Sequence, residues 1–259
     1  MALTTKTYHP LSVFYDAEYD YLDLVHRDIP FFLSRFGKAH RSILEIGVGT
    51  GRAAVAFARV GHRVVGIDYD RDILSVARRK RKAAGLNSRQ LELVFSNATN
   101  LNLGRRFDFA CILFNTFLMF LTVEAQDACL RGVRRHLRPS GRLFLDILNP
   151  NFRMLADPKT SNIGPVHFNA YPIGKVARVT DVRRDSLTQM QNFAVKYTWT
   201  ERGVRRAITN RFTLTWFTPR ELRLLVERNG LVIEKLSGDY DGRDLCANSP
   251  RIIACCRPV

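Results

Sequence analysis

The sequence predicts an open, doubly wound α/β sheet of mostly parallel strands carrying an antiparallel β-rich insertion. Three observations predict it. Apolar runs alternate with helical patterns from residue 42 to about 150. A glycine-rich turn, Gly47-Val48-Gly49-Thr50-Gly51, joins the first of those runs to the first helix. Between 176 and 217 the helical period gives way to long β-rich stretches. Strands alternating with helices favour a parallel sheet, because each parallel return needs a crossover.

The strands of the first region are read at 42–46, 63–67, 91–95, 108–114 and 142–148. Three of them are strongly apolar, as strands buried on both faces must be. Helical patterns cover about 50–60, 71–84 and 122–137, with Gly61 and Gly85 where helix C-caps are expected. The stretch 138-RPSGR-142 reads as a turn before the next strand. Residues 150–175 are rich in Pro, Asn and Gly and read as a loop or mobile cover. VARVTDV, MQNFAVKYTW and RAITNRFTLTW then read as successive antiparallel strands, turning at Arg184-Asp185 and Arg202-Gly203. In 218-TPRELRLLVERNG-230, Thr218 suits an N-cap, Pro219 suits N1, Glu221 can close a capping box and Gly230 ends the helix. Strands near 231–237 and 251–256 finish the chain.

Composition narrows the class. The 259 residues, 46% of them hydrophobic, are enough for a sizeable core. No apolar run approaches a membrane span, and MALTTKTYHPLSVFYD lacks the basic start and apolar stretch of a signal peptide. A cytoplasmic protein that does not enter a membrane is therefore expected. Five cysteines, odd in number and without a CxxC pair, suggest neither a disulfide framework nor zinc. The net charge of +16 can signal nucleic acid. Arginine outnumbers lysine 32 to 8, and the densest runs, 78-RRKRK-82 and 131-RGVRRHLR-138, fall late in helical patterns. Solvated helix faces and C-terminal dipoles explain those runs more simply than an RNA groove does.

A strand, a glycine turn, a helix and an acidic strand end together suit a nucleotide. Glycine lets the backbone approach a ligand without a Cβ clash, and an acid can accept hydrogen bonds from a ribose diol. Asp68 stands 21 residues after Gly47, as such a ribose contact requires. The dinucleotide order G-x-G-x-x-G is not met, because the third glycine comes one place early and Arg52 holds its position. A phosphate-binding G-K-[ST] ending is missing as well.

The order E-x-G-x-G-x-G, with Glu45 at the strand end, resembles motif I of the class I S-adenosylmethionine-dependent methyltransferases. The resemblance implies a Rossmann-like sheet with an antiparallel last strand and S-adenosyl-L-methionine as cofactor. It assigns the loop Glu45, Gly47, Gly49 and Gly51 to the aminoacyl end of the cofactor and Asp68, with Tyr69 beside it, to the ribose. After the third strand the family commonly carries Gly-Asp, whose acid binds the adenine amino group. Here Ser96-Asn97 stands there, so Asn97 and its neighbour Ala98 are the candidates, with Asn97 accepting through its carbonyl. The segment 107-FDFACILFN-115 matches the start of the family's fourth strand and brings Asn115 to the cofactor and acceptor. The segment 136-HLRPSGRLFLDILNP-150 resembles its turn and fifth strand. The likeness spans about 40–150 and 218–259. The domains expected are a helical cap at 1–40, the cofactor-binding core at 41–150, a β-rich lid at 151–217 and completion of the core sheet at 218–259.

Methyl transfer is an in-line displacement from an already activated cofactor, so no metal is required and alignment is the main task. The nearest likeness is to small-molecule N- and O-methyltransferases, including sugar-amine enzymes. A small-molecule acceptor is expected, with RNA methylation or a non-catalytic cofactor-binding relative as the alternatives. The chain can act as a monomer or a homodimer. On the acceptor side, Tyr15 and Tyr19 lie four residues apart and would share a helix face. With Asn115 they are the catalytic candidates. Arg178, Arg183 and Arg211 can meet an anionic group, His26 reads as a surface or cap residue rather than a base, His167 is a weak base candidate, and Tyr240 and Arg251 are candidates for the pocket rim. Packing alone explains the two tyrosines equally well, and solvated strand edges explain the arginines.

Overall fold

A computed structural model describes residues 10–20, 24–38 and 40–259. Two helices come first, α1 (Pro10–Asp20) and α2 (Leu24–Phe36). The core series then runs β1 (Ser42–Ile46), α3 (Arg52–Arg59), β2 (Arg63–Asp68), α4 (Arg71–Ala83), β3 (Leu91–Phe95), β4 (Phe107–Ile112), α5 (Val123–His136) and β5 (Leu137–Leu148). The insertion holds α6 (Phe152–Leu155) and β6 to β9, at Lys159–Ala170, Gly174–Asp185, Met190–Glu201 and Val204–Thr215. The chain ends with α7 (Pro219–Arg228), β10 (Leu231–Ser237) and β11 (Arg251–Pro258).

These elements form two compact units. One contains His26–Asn149 and Phe217–Val259, and the other contains α1 with Pro150–Trp216.

The larger unit is built on a seven-stranded sheet of order β10-β11-β5-β4-β1-β2-β3. Strands β1 to β5 are mutually parallel where they pair, and β11 runs antiparallel to both β5 and β10. Four of the five residues of β1 and four of the six of β2 are buried, which accounts for their unbroken apolar runs. The order reverses between β1 and β4, and open α/β sheets place their ligand crevice at such a switch point, at the carboxyl ends of the strands. Of these helix ends, α7 is capped as read and α4 by a residue not read as a cap. Asp70 caps α4 by accepting from Asp72 and Ile73 N–H at 2.8 and 3.1 Å. Thr218 and Glu221 close a reciprocal capping box at 3.2 and 2.7 Å.

Two boundaries differ from expectation. The stretch 138–142 belongs to β5, which starts at Leu137 and carries a register shift between the Phe107↔Leu137 and Phe109↔Arg142 pairs. The turn signal was a bulge. Gly141 allows it, because a Cβ there would lie 3.0–3.1 Å from three carbonyl oxygens. Strand β4 stops at Ile112 rather than 114, and Phe114 and Asn115 both turn into the left-handed region, at φ 50° and 70°.

In the smaller unit β6-β7-β8-β9 form an antiparallel meander. Residues 150–175, expected as a loop, contain α6 and the whole of β6. Gly164 and Pro165, among the residues that suggested a loop, sit at a register shift of an edge strand, where a missing N–H costs no ladder bond. The turn expected at Arg184-Asp185 falls later, over 186–189. Arg184 stays in β7, buried, bonding Asp157 O and Thr160 Oγ1 at 3.1 and 2.7 Å. The turn at Arg202-Gly203 is present. Phe14 of α1 is fully buried against Phe168, Val176, Val195 and Tyr197, which form this unit's own core.

Candidate active site

Strands β1, β2, β3 and β4 of the larger unit end on the same edge, so their following loops converge. Gly47, Gly49 and Gly51 all adopt positive φ, of 68°, 54° and 80°. The reasons differ. A Cβ on Gly47 would collide with Thr116 Cγ2 at 2.3 Å, and one on Gly51 would crowd Ala77 at 3.1 Å, so both serve close packing. A Cβ on Gly49 would meet only the Gly47 carbonyl, at 4.0 Å. Its backbone conformation demands glycine, and the space beside it is open to a ligand. Gly66 on β2 completes the loop's support, since Val48 occupies the volume its Cβ would need.

Asp68, at the end of β2, ties this loop down. Its Oδ2 accepts from Gly49 N–H at 2.9 Å and its Oδ1 from Asp70 N–H at 3.0 Å. Burial raises its pKa, against the pull of those N–H groups. Tyr69 beside it is 68% exposed. Asn97 N-caps the short helical turn Ala98–Asn100, its carbonyl oxygen accepting from Thr99 N–H and Thr99 Oγ1 at 3.0 and 2.9 Å. That oxygen, expected to accept from an adenine, is thus already occupied, and the amide Nδ2 is the group left to donate. Ala98 is buried beneath it.

Glu45 is the unusual residue. It lies on β1, is 4% exposed, and its Oε2 has no hydrogen-bond partner. Burial raises its pKa to about 8, although Arg52 pulls it down. A buried acceptor without a donor is costly, and a donor with positive charge would relieve it. Arg52, the nearby cation that pulls the Glu45 pKa down, is bound to Asp28, a fully buried residue of α2. Its Nη1 reaches Asp28 Oδ1 at 2.9 Å, and its Nη2 pairs with Oδ2. A glycine cradle with open space, an unpaired carboxyl oxygen and an aspartate at the next strand end fit a nucleoside that carries an ammonium group.

Asn115 does not point its carbonyl at open space. Its Oδ1 accepts from Leu148 N–H at 2.8 Å and its own N–H donates to Asp146 O at 3.0 Å, so it bridges the ends of β4 and β5. Tyr240 and Arg251 are not a solvent-facing rim. They are 6% and 1% exposed, and both bond the fully buried Asp146, Tyr240 Oη to Oδ2 at 2.9 Å and Arg251 Nε and Nη2 to Oδ1 at 2.8 and 2.6 Å. Reading the sequence missed Asp28 and Asp146. Asp146 interrupts the apolar run 143-LFLDIL-148 and was in that sense visible, whereas Asp28 carries no local signal.

The smaller unit gathers the acceptor-side candidates. Tyr15 and Tyr19 do share a face of α1, their ring centroids 4.2 Å apart. On the same helix Glu18 accepts from Tyr197 Oη at 2.8 Å and pairs with Arg178. Burial raises the pKa of both Tyr19 and Tyr197, so these phenols stay protonated. Arg178 is committed to Glu18, while Arg183 and Arg211 are exposed on β7 and β9. His167 is an exposed strand residue of β6 rather than a loop residue, and in the larger unit His26 is exposed on α2.

Comparison with known proteins agrees with this geometry. A family model described as a methyltransferase domain matches residues 43–141. A cypemycin N-terminal methyltransferase from Streptomyces is 29% identical over 213 residues, 82% of this chain and 81% of its own length. The solved CcbJ methyltransferase of Streptomyces caelestis superposes with a TM-score of 0.75 at 26% identity, covering 91% of this chain and 95% of that one. An S-adenosylmethionine-dependent methyltransferase from Clostridium acetobutylicum shares the fold, with a TM-score of 0.79 at 15% identity over 96% and 97% of the two chains. With its strand-order switch point, its glycine cradle and these relatives, the chain carries a methyltransferase domain and has the Rossmann-like fold of the S-adenosylmethionine-dependent methyltransferases.

Proposed function

We propose that the enzyme methylates an amine nitrogen of a small molecule or short peptide, with S-adenosyl-L-methionine held by Glu45, Gly47, Gly49, Gly51, Asp68, Tyr69, Asn97, Ala98 and Asn115. The observation that carries the assignment of the binding residues is the buried Oε2 of Glu45, which has no hydrogen-bond partner, at the end of the strand that leads into the glycine turn with its open Cβ position at Gly49. When bound, the cofactor supplies a methyl group already activated by its sulfonium. Glu45 holds the cofactor's ammonium, Asp68 takes the ribose hydroxyls while keeping its hold on Gly49, and Asn97 donates from its amide to the adenine. Asn115 contributes mainly through the backbone turn that it closes.

The amine reading is supported by the N-terminal methyltransferase relative, since the N-terminus of a peptide presents an amine. On the acceptor side Tyr15 and Tyr19 orient the incoming amine through hydrogen bonds. Burial keeps the Tyr19 phenol protonated, so it is not a general base, and the acceptor enters as the free amine or passes its proton to water. The test is an acceptor screen with purified enzyme and labelled cofactor, setting amino sugars and short peptides against phenols and transfer RNA. Labelled product with amines alone supports the reading, and labelled RNA or phenol overturns it. In that assay Tyr19→Phe is expected to lower turnover at least tenfold while cofactor affinity stays within twofold.

A further inference from the structure

We infer that Asp146, gripped by Arg251 and Tyr240, is a positioning residue for methyl transfer that holds the Phe114–Asn115 turn against the cofactor loop. The inference rests on the reading above that the Gly47–Gly51 loop carries the cofactor.

Phe114 and Asn115 are consecutive non-glycine residues at φ 50° and 70°. An aromatic residue in the left-handed region is a rare conformation that persists only where its surroundings impose it. Asp146 imposes it from both its side chain and its backbone. Its Oδ2 accepts from Phe114 N–H at 3.0 Å and its carbonyl from Asn115 N–H at 3.0 Å. The carboxylate in turn is held by Arg251 and Tyr240, from β11 and the loop before it. The guanidinium of Arg251 lies over the Phe114 ring at 5.4 Å, and that of Arg52, locked by Asp28, lies over it at 5.7 Å. The next residue, Thr116, abuts Gly47 so closely that a Cβ there would lie 2.3 Å from it. The turn therefore stands directly against the glycine loop.

Burying the Asp146–Arg251 pair and the Asp28 carboxylate under a partly exposed Arg52 is a poor way to stabilise a fold, since apolar residues of similar volume usually do as well. Their placement on either side of one strained turn explains them better. In-line transfer tolerates little misplacement, and a turn free to relax by an ångström would shift the loop it leans on.

The experiment uses full-length protein and S-adenosylhomocysteine as the probe. Asp146→Leu/Arg251→Met replaces the pair by apolar side chains. The double variant is expected to melt at or above the wild-type temperature, yet to exchange the Phe114 amide at least tenfold faster and bind S-adenosylhomocysteine at least tenfold more weakly. Tyr240→Phe, which keeps the ion pair, should show the same two changes to a smaller degree. Asp127→Asn is the control, because it breaks a comparable cluster with Arg228 and Asn229 away from the turn and should leave both readouts unchanged. Wild-type Phe114 exchange in the folded double variant overturns the inference, as does equal weakening of the probe by Asp127→Asn. Failure of the wild-type protein to bind the probe would instead refute the cofactor reading, while Phe114 exchange still decides whether Asp146 holds the turn.

Discussion

Glu45 offers the sharpest test of the site, because its proton state and its proposed role oppose each other. With a pKa of about 8 it is nearly all protonated at pH 6, and an ammonium ligand needs it ionised. Ionising it costs roughly 1.4 kcal/mol for every pH unit below that pKa, so affinity is expected to rise about tenfold per unit between pH 5.5 and 7.5. Titration calorimetry with S-adenosylhomocysteine, repeated in two buffers of different ionisation enthalpy, reads the linked proton directly. About one proton should be released per ligand at pH 6.5. Glu45→Gln should bind more weakly, release none and lose the pH slope. The same shift has a stability consequence of definite sign. The folded pKa lies above the ordinary carboxylate value near 4.5, so the stability belonging to neutral Glu45 is full below pH 4.5 and is lost as pH rises through 8. Glu45→Gln should therefore melt higher than wild type at pH 8. A wild-type protein that binds without proton release, together with a Gln variant that keeps the slope, would refute the reasoning.

Three further outcomes are expected. Gly49→Ala places a side chain in open space at φ 54°, so strain of about 1 kcal/mol should lower the melting temperature by only a few degrees, while cofactor binding is lost in calorimetry. Asp68→Ala removes the acceptor of both Gly49 and Asp70 N–H, so it should weaken the cofactor at least tenfold and also cost about 1–3 kcal/mol in urea unfolding. The structure thus adds a folding cost to a residue whose type and spacing alone suggest only ligand contact. Thr218→Ala breaks the capping box of α7, which should cost about 1 kcal/mol in the same unfolding assay and leave cofactor affinity unchanged.

The chain's local chemistry determined a good deal unaided. Continuous apolar runs are best satisfied by strands buried on both faces, so the parallel core was legible, as was the cap at Thr218, a one-turn interaction. The glycine order was legible as a turn at positive φ, and the structure ties that turn to Asp68 through the Gly49 N–H. Where local signals misled, long-range pairing had outweighed them. Pro165 was absorbed by an edge strand's register shift, and the 138–142 turn became a bulge because β4 lies beside it. Only the tertiary structure decided which polar residues work together. Asp28 meets Arg52, and Asp146 meets Tyr240 and Arg251, across separations of 24, 94 and 105 residues. No periodicity encodes such pairs, because each is set by where whole elements cross. The same tertiary packing leaves Glu45 buried, with one carboxyl oxygen that has no hydrogen-bond partner.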